Sequence, residues 1–210
     1  MSEGLVSTIG VALGTAAVGL LAGRVVRIVA DHFAPRKGMP YATDIVGAAV
    51  FGLLGWRIGL APLLPAYLCM AAAGVALSVI DLRTRRLPDA LTLPSYVVLL
   101  ALVAVGGIVS RDGAVTVGLV LGAMGAFSLY WCFRRMNTAL GPGDVKASGL
   151  VGGILGTIGV HAWVVGIGAG LILAALYAVT MLISRKGSGS TLIPYGPFMF
   201  AGCLVAVLAT

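Results

Sequence analysis

A chain of 210 residues that is 60% hydrophobic and only 10% charged is not an ordinary soluble domain, in which about a quarter of residues carry charge. Its mean hydropathy of +1.08 places it in a bilayer, and the 31 glycines suit membrane helices that approach one another closely. The net charge of +7 would point to nucleic acid in a soluble protein; here basic loops on the inner side of a membrane account for it, and no nucleic-acid partner is expected.

A transmembrane helix needs roughly 20 apolar residues. The first such run covers 4–24, and the opening MSEGLVSTIG has no basic segment before it, so it reads as a retained span and not a cleaved signal peptide. Further spans follow at 42–59, 61–80, 91–110, 113–132, 147–160, 162–183 and 192–210. The sixth, ASGLVGGILGTIG, is short and glycine-rich; it is tilted, partly re-entrant or covered by neighbours, or it forms one broken helix with the seventh. The loops are too short for a soluble domain and no internal repeat stands out. The expected fold is therefore all-α, a single polytopic bundle of about eight transmembrane helices over residues 1–210.

With both termini outside, the inner loops hold Arg24, Arg27, Arg36, Lys37, Arg83, Arg85, Arg86, Arg134, Arg135, Lys146, Arg185 and Lys186, leaving only Arg57 and Arg111 of the 14 basic residues outside. This asymmetry selects an N-out/C-out orientation. Cys69, Cys132 and Cys203 lie far apart in apolar segments, without a CxxC or Cys/His cluster. They read as buried free thiols, and no metal site is expected.

The seven acids differ in their settings. Glu3 and Asp112 fall at the outer face and Asp31 in the first inner loop, all solvated. Asp44 opens the second span, where the helix macrodipole favours an acid. Asp89 follows Pro88 and reads as the N-cap of the fourth span. Asp81 ends the apolar run AAAGVALSVID, and taken alone it would pair with Arg83, Arg85 or Arg86. Asp144 follows Gly141-Pro142-Gly143; it is a cap of the sixth span, or a carboxylate that the flexible glycines deliver to a fixed place. Lys146 is a snorkelling anchor or a cation that tunes the site.

The proposed topology brings Asp81 and Asp144 to the same inner membrane boundary. Two carboxylates brought close cannot both ionise easily, so one holds a proton while the other does not. Such a pair can activate water against a peptide carbonyl without metal or covalent nucleophile. Ionisable residues at membrane depth are functional candidates in general.

Three stretches now carry a resemblance. IDLRTRRLPDALTLP (Ile80–Pro94), GPGDVK (Gly141–Lys146) and IPYGPF (Ile193–Phe198) stand in the order found in type IV prepilin peptidases, the GxGD-type aspartic membrane proteases; GLLAGRVVRIV (Gly19–Val29) is a weaker likeness. The resemblance runs from about residue 60 onward. It implies that Asp81 and Asp144 are the catalytic dyad of a single transmembrane peptidase domain. Gly141, Gly143, Lys146, Asp89, Pro194, Gly196 and Pro197 would then support the site or bind substrate, with no metal and no cofactor. It also implies a multi-pass protein of the cytoplasmic (inner) membrane, with its site facing the cytosol. The implied partners are the lipid bilayer and a prepilin or pseudopilin. A short basic leader would be cut from that substrate just before its hydrophobic helix. In one respect the chain departs from longer members: its first inner loop, ADHFAPRKGMPYAT, is short and has no cysteine. This matches short members without the CxxC-bearing region and weighs against methyltransferase activity.

Two other classes compete. A small transporter or channel subunit also uses intramembrane acids and glycine-broken helices, although no pair of matching interrupted halves is visible. A purely structural subunit would spend its acids in ion pairs. A serine protease is disfavoured, because His32 and His161 fall on opposite sides of the membrane and no GxSxG stretch exists.

Overall fold

A computed structural model describes residues 2–35, 42–136, 140–184 and 194–210. Arg36, Lys37, Arg185, Lys186 and Ile193, all used above, lie outside the described residues. Within them the chain is helical throughout, in eight helices: α1 Ser2–Phe33, α2 Ala42–Ile58, α3 Leu64–Thr84, α4 Asp89–Ser110, α5 Ala114–Arg135, α6 Pro142–Gly156, α7 Val160–Ile183 and α8 Gly196–Ala209. Every expected span corresponds to one of them. Five (α1, α3, α4, α5 and α7) are long and apolar enough to cross a membrane. The protein is a polytopic helical membrane protein.

The largest difference from the expected spans is at α1. Hydropathy ends the span at residue 24, yet the helix runs to Phe33, about 48 Å at 1.5 Å per residue against a hydrocarbon core of about 30 Å. The charged residues that end the apolar run do not end the helix, because each finds a partner. Arg27 bonds Asp44 at 3.2 Å. Asp31 takes Arg83 at 2.6 Å, so this acid is helical and paired and not a loop residue, while its side chain stays exposed to solvent as expected.

Helices α6 and α7 are separate. The turn between them passes through Gly159 at φ 136°, a conformation that strains any residue with a Cβ. Helix α6 has 15 residues, about 22 Å, too short to cross alone. Its side chains explain why it needs no lipid contact: apart from Lys146, every residue from Asp144 to Leu155 is buried. Glycines make that enclosure possible. A Cβ on Gly118, Gly122, Gly152 or Gly156 would collide with backbone of the facing helix, so α5 and α6 lie backbone against backbone, as small residues permit in membranes.

The helices alternate in direction. Gly106 near the end of α4 meets Leu63 before α3. Tyr67 near the start of α3 bonds Thr157 just past α6, at 2.9 Å. Gly166 of α7 packs on Ala206 of α8, and Gly170 on Met199. The end of α3, the loop to α4, and the starts of α6 and α8 consequently share one end of the bundle. Leu77, Leu150, Ile154, Leu155 and Met199 fill the centre with almost no exposure, while α1, α4, α5 and α7 turn many Val, Leu and Ile side chains outward, as a lipid-facing surface requires. The cysteines are free, but only Cys203 is buried; Cys69 is partly covered and Cys132 faces outward from α5. The expectation of buried thiols fails at Cys132 because its side of α5 looks away from α6.

Candidate active site

Helix α3 stops by a left-handed turn at Arg85, φ 53°, whose N–H bonds the Asp81 carbonyl at 2.8 Å. That leaves the Asp81 side chain in the last turn, 3% exposed. Its Oδ2 accepts the backbone N–H of Gly196 at 2.8 Å. Gly196 is the first residue of α8, so the carboxylate lies at the positive end of that helix. A Cβ on Gly196 would stand 3.0 Å from the same oxygen.

Asp144 is held by a second helix start. Gly141 is the N-cap of α6, Pro142 opens the first turn, and the Gly141 N–H donates to Asp144 Oδ2 at 2.9 Å. This is the carboxylate arm of a capping box; the glycine has no side chain to supply the other arm. Asp144 therefore caps its helix from the third position within it, and the two readings of this acid, cap and site, are compatible. Gly143 admits the loop after α3: a Cβ there would come 2.8 Å from the Leu87 Cβ. Gly143 thus lets the first turn of α6 pack closely on the loop that follows α3.

The two carboxylates are close enough to interact electrostatically, and Asp144 is 8% exposed. Ion pairs among the described residues join Asp44 to Arg24 and Arg27, Asp31 to Arg83, and Asp89 to Lys146; none uses Asp81 or Asp144. The pairing of Asp81 with Arg83 does not form, because Arg83 is held by Asp31 and the Ala34 carbonyl. Arg85 and Arg134 add positive potential near Asp81 and Asp144 respectively.

The remaining expected residues divide. Asp89 is not an N-cap: Pro88 holds that position without a side-chain bond, and Asp89, one residue further in, sends both oxygens to Lys146 Nζ at 2.7 and 2.6 Å. The pair clips the start of α4 to the first turn of α6. Pro194 is buried and Pro197 partly so, on either side of the Gly196 N–H. Pro197 and Ser78, each close in sequence to a partner of the Gly196–Asp81 bond, also line an apolar cavity of about 280 Å³ between α2, α3 and α8. Asp44 lies in the first turn of α2 as expected, is buried, and pairs with Arg27 at 3.2 Å and Arg24 at 3.9 Å. The weak motif Gly19–Val29 thus supplies the cations for a separate acid.

Two residues of the site escaped the sequence reading. Tyr130 of α5 and Tyr195, the N-cap of α8, share a hydrogen bond with oxygens 2.9 Å apart, and both lie within electrostatic reach of Asp144. Tyr195 stood inside a quoted motif, whereas Tyr130, close to Arg134 and Arg135, looks like an ordinary interfacial aromatic.

Fold and site together define a polytopic helical membrane protein that holds two interacting, buried carboxylates at the starts of two helices. Residues 68–208 match the model of the type IV leader peptidase family, and the chain belongs to that family. It is 29% identical over 159 residues to a prepilin leader peptidase/N-methyltransferase of Stutzerimonas stutzeri, covering 75% of this chain and 54% of that protein. It is 31% identical over 176 residues to the protein of that name from Pseudomonas putida (82% and 60%), and 43% identical over 107 residues to that from Dickeya chrysanthemi (50% and 36%). The chain spans about half the length of these curated relatives. No solved structure matches it significantly.

Proposed function

We propose that the chain is a membrane-embedded aspartic endopeptidase that removes the short basic leader from type IV prepilins or pseudopilins. Asp81 and Asp144 are its dyad, working at the cytosolic face of the inner membrane. The observation that carries this reading is that both acids are buried at one end of the bundle, interact with each other, and bond backbone N–H groups instead of cations. A structural subunit would be expected to neutralise buried acids, as this chain does at Asp44, because an unpaired buried charge is costly. Family membership favours the peptidase over a transporter or channel subunit.

The chemistry follows from the pair. The ionised carboxylate takes a proton from water as the oxygen attacks the scissile carbonyl, and the protonated partner delivers its proton to the departing amine. Backbone N–H groups hold one oxygen of each carboxylate, which limits the rearrangement the reaction requires. Methyl transfer, the second activity in the relatives' names, is not carried over to this chain.

The test is co-expression with a candidate prepilin and an assay for leader removal. Asp81→Asn and Asp144→Asn each abolish cleavage while the protein stays in the membrane. Full activity in either variant overturns the dyad.

A further inference from the structure

We propose that Tyr195 is a third catalytic residue, whose phenolic O–H hydrogen-bonds the scissile carbonyl oxygen as that carbon becomes tetrahedral, with Tyr130 as the residue that positions it. The proposal rests on the peptidase reading of Asp81 and Asp144.

Each phenol has one hydrogen to donate. Tyr130 is wholly buried, 0% exposed, and its only hydrogen-bond partner among the described residues is the Tyr195 oxygen at 2.9 Å. Either oxygen can be the donor in this bond; Tyr130, wholly buried, satisfies its own donor only by giving its proton to Tyr195, and in that arrangement Tyr195 accepts. The proton of Tyr195 is then unspent. Tyr195 is also the less buried of the two, so its donor is the one an arriving substrate can meet. A phenol that already accepts a hydrogen bond is polarised into a stronger donor.

Tyr195 is bonded directly to Gly196, whose N–H fixes Asp81 Oδ2 at 2.8 Å, and it lies within electrostatic reach of Asp144. The same backbone segment therefore holds one carboxylate and carries the phenol that meets Tyr130. The Tyr130 ring is held edge-on against Tyr195, centroids 5.7 Å apart, and contacts Phe133 at 6.1 Å, which restrains the pair without its hydroxyls.

In the reaction, the ionised carboxylate takes a proton from water while the water oxygen bonds the carbonyl carbon. The carbonyl π electrons move onto its oxygen, and that charge is stabilised by the Tyr195 O–H, which keeps its proton. Collapse of the intermediate breaks the C–N bond as the second carboxyl protonates the amine. Donors aimed at a developing oxyanion strengthen in the transition state, and loss of one typically lowers kcat by about 100-fold or more.

The experiment uses the full chain in detergent with a synthetic peptide that joins a basic leader, a glycine and an apolar segment. Tyr195→Phe keeps the ring; it is expected to lower kcat about 100-fold with KM nearly unchanged. Replacement of Tyr195 by difluorotyrosine, which keeps an O–H, restores kcat. Tyr130→Phe is expected to give a smaller loss, and the double Phe variant to be no worse than Tyr195→Phe alone, since the two phenols act as a unit. Three outcomes overturn the proposal: kcat within twofold of wild type in Tyr195→Phe, an effect confined to KM, or difluorotyrosine no better than Phe. Active wild type with inactive Asp81→Asn and Asp144→Asn, together with any of these, removes the tyrosine inference and leaves the dyad standing.

Discussion

Gly196 donates its backbone N–H to Asp81 at 2.8 Å across a sequence separation of 115 residues. The bond ties the last turn of α3 to the first residue of α8, and it uses a residue whose missing side chain leaves the carboxylate room. In Gly196→Ala the new Cβ meets Asp81 Oδ2 at 3.0 Å and its Cβ at 3.4 Å, so the acid or the helix start must shift by a few tenths of an ångström. An ångström-scale misplacement at a reacting centre costs about 100-fold; the expected loss in leader cleavage here is about tenfold. Alanine suits a helix better than glycine, so the thermal unfolding midpoint is not expected to fall with it. Unchanged cleavage in Gly196→Ala would show that Asp81 tolerates displacement.

That bond also marks where sequence reading stops. Hydropathy places all eight helices, because each must present roughly a bilayer's length of apolar side chains or hide inside those that do. Topology and motif together place Asp81 and Asp144 at one end. The partners of these acids were not legible. The Gly196 N–H reaches Asp81, and Lys146 reaches Asp89 over 57 residues, only because α8 and α6 pack against α3 and α4, which no local pattern encodes. The same is true of Tyr130, whose hydroxyl has meaning only once Tyr195 is beside it. Asp89 departs from its expected role for a local reason: an acid after proline at a helix start has the sequence of a cap, but the helix begins on Asp89 itself, and its carboxylate bonds Lys146 of α6.

The Lys146–Asp89 pair is exposed, with side chains 38% and 55% accessible, so its loss costs under about 1 kcal/mol of stability. Its position two residues after Asp144 gives it a larger part in holding α6 against α4. Asp89→Asn and Lys146→Met are therefore each expected to slow cleavage more than they lower the unfolding midpoint, without abolishing it. The exchanged variant Asp89→Lys/Lys146→Asp is expected to recover part of the rate. If the single variants are as inactive as Asp144→Asn, these residues belong to the reacting group and not to its support.

The α5–α6 seam sets the depth and direction of Asp144 through close backbone contact. Gly152→Leu forces a branched side chain against the Gly122 carbonyl and the Ala126 Cβ. Overpacking of this kind costs about 1–3 kcal/mol, read as a lower unfolding midpoint in detergent and a weaker yield of folded protein. Gly168→Leu on α7 is the contrast, since a Cβ there meets nothing within 4 Å; it leaves the midpoint unchanged or raises it. Equal behaviour of the two variants would mean that glycine is present for reasons other than close packing.

Arg85, Arg86, Arg134 and Arg135 belong to the bundle end that carries the dyad, while Arg57 and Arg111 close α2 and α4 at the opposite end. Under the positive-inside rule the proposed dyad is expected to face the cytosol, with both termini outside. Arg86 and Asp112 are exposed at the two ends and make suitable reporters. In a background with Cys69, Cys132 and Cys203 replaced by alanine, a membrane-impermeant thiol reagent added to intact cells is expected to label Asp112→Cys. Arg86→Cys reacts only after the membrane is opened. The reverse pattern would put Asp81 and Asp144 outside, where a cytosolic leader cannot reach them, and would refute the proposed site of cleavage even if the dyad chemistry is right.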